Sequence, residues 1–167
     1  MDIFNRMNPE KKLSITPEKN GNDGVIHRFA GRIDEHAVFS SISIISPLVF
    51  DLDGVESMNS IGVMNWVKYF KSIPPDVTIY FERIPRHIVE QINMLSRMFF
   101  GGKTVIIRSI RAPYYCESCD ITAELVLDIP ADQKLSLAPQ KTCNTCKSTM
   151  LFDQIEEDYF KFLSADG

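Results

Sequence analysis

The chain has 167 residues, with 18 basic and 22 acidic side chains, a net charge of −4 and a hydrophobic fraction of 44%. That is long enough for one ordinary domain with a satellite, or two small ones, and apolar enough for a buried core. The acidic balance removes the electrostatic ground for tight nucleic-acid binding, which needs Lys and Arg to neutralise phosphates.

No stretch has the basic-then-apolar order of an export signal or the roughly 20 apolar residues of a membrane span. The most apolar run, 42–50, is broken by Ser43, Ser46 and Pro47. A cytoplasmic protein without a membrane segment is expected. In a reducing compartment its four cysteines would stay unpaired.

In chain order, residues 12–16 read as a short strand and 20–24, Asn-Gly-Asn-Asp-Gly, as a tight turn. Alternation over 25–33 gives a second strand, closing a hairpin. Asp34 stands where a cap would open a helix over about 35–44, with Ala37, Val38, Ile42 and Ile45 on its inner face. Residues 47–53, Pro-Leu-Val-Phe-Asp-Leu-Asp, form an apolar run that turns acidic, as a buried parallel strand does where it leaves its sheet. A loop follows at 57–60, with Ser60 or Asn59 as the next N-cap. Val63, Trp66, Val67 and Phe70 recur at helical spacing and predict a helix over 61–72, ended by Pro74-Pro75. Residues 77–81 are the next strand. Pro85 suits the first turn of a further helix, lined by Ile88, Ile92, Leu95 and Phe99 and stopped by Gly101-Gly102. Residues 104–110 make a last strand. Strands alternating with helices imply parallel pairing through crossovers.

After Pro113 the pattern changes. Cys116-Glu117-Ser118-Cys119 and Cys143-Asn144-Thr145-Cys146 are matched Cys-x-x-Cys pairs, separated by 23 residues. Between them lie a strand at 121–129 and a polar loop at 130–139. Two such turns supply four thiolates, the tetrahedral set of a structural zinc ion, and leave no position open for water or substrate. A redox pair would instead place one Cys-x-x-Cys at a helix start, and four scattered free thiols are the remaining alternative. A ribbon this small needs a metal to fold. Zinc ribbons also contact nucleic acid, and a nucleic-acid-associated ribbon with the α/β part as scaffold is the alternative reading. Lys134, Lys141 and Lys147 argue against it by being few and offset by Asp128, Asp132 and Asp153.

The stretch 48–63 reads Leu-Val-Phe-Asp-Leu-Asp-Gly-Val-Glu-Ser-Met-Asn-Ser-Ile-Gly-Val. With Phe29-Ala30-Gly31-Arg32-Ile33-Asp34 upstream, it resembles the STAS family, named for sulfate transporters and anti-sigma-factor antagonists. That family's signature is an apolar strand, Asp-Leu, a turn, then Asp-Ser-Ser-Gly-Leu opening a helix. The resemblance covers about residues 11–111, roughly two-thirds of the chain. It implies a STAS-like mixed, mostly parallel sheet with helices over 1–111, followed by the zinc ribbon at 112–152 and a helical tail at 153–167. In soluble antagonists of that family, a partner kinase phosphorylates the serine after the Asp and so switches partner binding off. Ser60 stands at that position, while Asn59 replaces the aspartate and Ile61 the second serine.

The resemblance thus implies a bacterial-type signalling module. It would bind a protein partner, a kinase-type regulator, through Met58, Asn59, Ser60, Ile61 and Met64. Against catalysis, His27, His36 and His87 fall on different predicted elements, and no nucleophile–base spacing or phosphate-cradling glycine loop is present. Asp51 and Asp53 at the strand end read either as a solvated turn or as holders of a metal or phosphate. A non-enzymatic chain is expected. Ile155, Tyr159, Phe160 and Leu163 give the tail an apolar face that could dock on either domain or on a second copy.

Overall fold

The computed structural model describes residues 11–21 and 24–164. Two sheets share one hydrophobic core. The first contains β1 (Ser14–Asn20), β2 (Gly24–Ile33), β3 (Leu48–Met58), β4 (Ile79–Glu82) and β5 (Ile106–Ile107), in that spatial order. β1 pairs antiparallel with β2; the other neighbours are parallel. This is an α/β architecture with a mixed, mostly parallel sheet. The expected hairpin opens it, although Asn22 and Asp23 of its turn lie outside the described residues.

The crossover from β2 to β3 corrects the first expected helix: residues 34–47 form no helix. Asp34 accepts the His36 N–H at 2.9 Å, closing a local turn instead of capping a helix. Phe39 and Ile42 are buried, but Val38 and Ile45 are 64% and 58% exposed, so the expected inner face is not a face. The segment is crowded with serine and isoleucine, whose side chains weaken a short helix unless packing compensates.

α1 (Ser60–Ser72) follows, as the spacing of Val63, Trp66, Val67 and Phe70 predicts. It lays Trp66 and Phe70 on the sheet. Trp66 meets the rings of Phe29, Phe39, Phe50, Phe70, Phe81 and Phe99 at centroid distances of 4.7–6.2 Å. α2 (Arg86–Leu95) starts after Pro85 and continues as a 3-10 turn, Ser96–Phe100. Gly101 ends it at φ 62°, the left-handed cap that glycine takes without strain.

The strand expected over 104–110 is two strands. β5 stays in the first sheet, whereas β6 (Ser109–Cys116) opens the second and runs through the 111–112 position into the first cysteine turn. The second sheet has the order β7 (Ile121–Asp128), β6, β9 (Thr149–Phe152), β8 (Lys141–Thr142), antiparallel throughout. Ile84, just past β4, bridges to Ile110 and ties the sheets together.

The tail forms α3 (Glu156–Tyr159) and a 3-10 turn, Lys161–Leu163. It docks within the same chain. The Tyr159 hydroxyl donates to the Arg111 carbonyl at 2.6 Å, and Asn93 on α2 bonds the Tyr159 carbonyl and the Phe162 N–H. Phe160 stacks on Phe152 of β9. Ile155 is 67% exposed and takes no part.

Candidate metal centre and the start of α1

The hairpin of β6 and β7 carries Cys116 and Cys119 in its turn, and the hairpin of β8 and β9 carries Cys143 and Cys146. Pairing of Tyr114 with Phe152 and Tyr115 with Leu151 brings both turns to one end of the sheet. In the second turn the Cys143 N–H donates to the Ser148 carbonyl at 2.8 Å, and the Lys147 N–H to the Cys143 carbonyl at 3.0 Å. The residue after each second cysteine is left-handed: Asp120 at φ 52° and Lys147 at φ 64°. That conformation costs a non-glycine residue roughly 1–2 kcal/mol, so its occurrence twice, at matched positions, marks a deliberate curl of each turn around its sulfurs. Composition hides this feature, because glycine would be the usual signal there.

The four sulfurs lie within 4.8 Å of one another. Cys116 and Cys146 are 3.5 Å apart, Cys119 and Cys143 3.9 Å. A disulfide needs about 2.05 Å, and all four cysteines are free thiols. Four thiolates at about 2.3 Å from a tetrahedral zinc would be spaced by about 3.8 Å. The cluster can therefore hold a metal ion such as zinc.

Its electrostatics are uneven. Hydrogen bonds from Ser148, side chain and then backbone, lower the Cys146 thiol to about 6. The backbone amides of Cys146 and Thr145 lower Cys143. Burial raises Cys116. Hydrogen bonding to Cys146 pushes Cys119 up to about 12. The second turn is thus biased towards thiolate and the first towards thiol, and a bound metal would favour the thiolate at all four.

At the start of α1, the loop expected at 57–60 is corrected. β3 continues to Met58 because β2 continues beside it, pairing Arg32 with Ser57 and Ile33 with Met58 across bulges. Met58 is buried, at 9% exposure. Asn59, not Ser60, caps α1: its Oδ1 accepts the Gly62 N–H at 2.8 Å, and its Nδ2 donates to Glu35 at 2.9 Å. Gly62 permits this close start, since a Cβ there would stand 2.0 Å from the Ile33 carbonyl oxygen. Ser60 opens the helix and is exposed, Ile61 is 50% exposed and Met64 70%.

Asp51 and Asp53 are neither a solvated turn nor open carboxylates. Asp51 is 2% exposed and pairs with Arg28 and Arg83. Asp53 pairs with Arg83 at 3.1 Å and Arg111 at 2.7 Å. The Arg111 hydrogen bond, with help from the Arg83 charge, holds the Asp53 carboxyl below its ordinary range. Arg83 reaches both aspartates from a left-handed backbone, φ 49°, that no sequence pattern announces. His27 is on β2, His36 in the crossover and His87 on α2, so the histidines do not converge. No helix among the described residues is long and apolar enough to cross a membrane. Compared with known proteins, the chain matches no family model, no curated protein and no solved structure.

Proposed function

We propose that this chain is a non-enzymatic protein-interaction module of STAS-like type, which presents the start of α1 to a regulatory partner and uses the cysteine cluster for one structural zinc ion. The observation that carries the first part is the exposure of Ile61 and Met64, one helical turn apart, beside exposed Ser60. Large apolar side chains held out on a fixed helix end suit adaptable apolar contact. Met58, being buried, drops out of that face, and Asn59 serves it as the cap.

The same geometry supports a phosphate switch. A phosphate on Ser60 would lie at the positive end of the α1 dipole and leave the helix intact. Its charge, close to about −2, would repel an apolar partner from Ile61 and Met64. For the zinc, four thiolates close the coordination shell, which fits a folding role and leaves no site for catalysis.

The test is capture of partners from a native lysate, read by mass spectrometry together with phosphate on Ser60. Ser60→Asp and Met64→Glu are expected to lose the captured partner while keeping the wild-type circular dichroism spectrum. An unchanged set of captured proteins in both variants would remove this face. Steeply salt-dependent binding of plain DNA or RNA would favour the nucleic-acid reading instead.

A further inference from the structure

Each sheet has two edge strands, and three of the four edges are blocked. β1 carries Pro17, which has no N–H to offer, beside Glu18 and Lys19. β5 is two residues long, and the Gln133 side chain bonds both the N–H and the carbonyl of Ile107, each at 2.9 Å. β8 is also two residues long. β7 is the exception: eight residues with neither proline nor lysine.

The hydrogen-bond parity of its neighbour shows which β7 groups are free. On β6, the Ser109 carbonyl and Arg111 N–H turn to Ile84, and the Pro113 carbonyl accepts from Asp153. Ser109, Arg111 and Pro113 thus face away from β7, so Ile110, Ala112, Tyr114 and Cys116 bond it. Their register partners are Leu127, Leu125, Ala123 and Ile121. The main-chain groups of Thr122, Glu124 and Val126 therefore point outward, and none of them meets a backbone partner among the described residues.

Side chains define what would fit. Residues 120–128 hold Asp120, Glu124 and Asp128 and no basic residue. One side of the strand offers Glu124 and Asp128, both exposed; the other offers exposed Ile121 and half-buried Leu125. A second copy pairing through its own β7 would set acid against acid. We infer that the outer edge of β7 is a β-augmentation site for an extended segment of another protein, one that alternates small apolar residues with lysine or arginine. The main chain supplies the affinity, and the alternating side chains the choice of partner.

The experiment uses the full chain and a short blocked peptide alternating valine with lysine, with a valine–glutamate peptide as control. Binding is followed by fluorescence anisotropy and residue-resolved amide exchange. The lysine peptide is expected to bind, to weaken with salt and to slow exchange at Thr122, Glu124 and Val126. Val126→Pro removes an N–H that has no backbone partner among the described residues, so the fold should persist while affinity falls about tenfold or more. Glu124→Lys combined with Asp128→Lys should switch preference to the glutamate peptide. Undetectable binding, or equal affinity in Val126→Pro, would overturn the inference. So would protection of these amides that appears without peptide and grows with protein concentration, which assigns the edge to a second copy.

Discussion

The α1 side of the molecule and the cysteine end are built on opposite principles. Around α1, order comes from mass: Trp66 is wholly buried and ringed by six aromatic side chains. From Glu117 to Phe152 the buried side chains are only Leu127, Ile129, Cys143 and Met150. Although β6 beside it is well buried, a segment with so little inside cannot offset the entropy of ordering its own loops. Their geometry must come from bonds at the tip, whereas the first sheet would keep its form without any one contact. Loss of a ligand should therefore be local and severe, and loss of a core ring global and graded.

The largest expected effect follows from stripping the metal. A structural zinc contributes apparent binding energy of about 10–16 kcal/mol in isolated fingers. A strong chelator, or Cys119→Ser, should abolish amide protection in β8, β9 and the outer ends of β6 and β7. Protection in α1 should persist, and purified wild-type protein should carry one zinc per chain by metal analysis. Melting of α1 together with the ribbon would break the comparison, by showing that the tip holds the core as well. Next comes Trp66→Ala, with an expected cost of about 3–5 kcal/mol in denaturant unfolding. It should lower the midpoint for the whole chain and leave the zinc stoichiometry unchanged.

Between these extremes lies the ion network that joins the two regions. Asp51→Ala leaves Arg28 with Glu18 alone and Arg83 with Asp53 alone, and the two guanidiniums keep 42% and 33% side-chain exposure. The loss should be about 2 kcal/mol, below that of a fully buried pair, because water still reaches both cations. Urea unfolding of the variant measures it. A neutral result would mean that the arginines re-pair, and that the strand ends need no carboxylate.

What the sequence made legible divides along the same line. α1 was visible because four apolar residues at helical spacing face one sheet, and the observed helix differs from the expectation by one residue. The cysteine cluster was visible because thiol spacing is discrete chemistry. The hidden parts depend on neighbours. β3 extends to Met58 only because β2 lies beside it, although 57–60 has the composition of a loop. The run at 104–110 is uniformly β-forming, yet it changes sheets near Arg108, where the partner switches from β4 to β7. Asp120 and Lys147 in left-handed turns, and Arg83 bridging two aspartates, are tertiary solutions without a local signature. The helix expected over 35–44 failed for the converse reason: its pattern existed, but only part of its face is buried, Ile42 in the core and Phe39 against Trp66 and Tyr69, while Val38 and Ile45 stay exposed.

The smallest effect is acid sensitivity inside the core. His27 is 1% exposed, and its Nδ1 has no hydrogen-bond partner. Burial disfavours its imidazolium and lowers its pKa from the ordinary 6.5. Below about pH 6.5 the unfolded chain takes up a proton that the folded chain refuses, so the unfolded state binds more protons and stability falls as pH falls. The slope is at most about 1.4 kcal/mol per pH unit for one such group, and it ends once the pH passes the folded pKa. His87 on α2 is lowered by burial in the same sense and adds to the slope. His27→Leu and His87→Leu should each flatten the dependence of unfolding free energy between about pH 6.5 and about pH 5, above the range in which the lowered Asp53 carboxyl adds its own acid loss. The readout belongs on α1 amides, whose protection is expected to be independent of the metal, because acid also protonates cysteine ligands. A slope that survives the double variant on those amides would show the acid response entering through the metal after all, and the two regions would then be one cooperative unit.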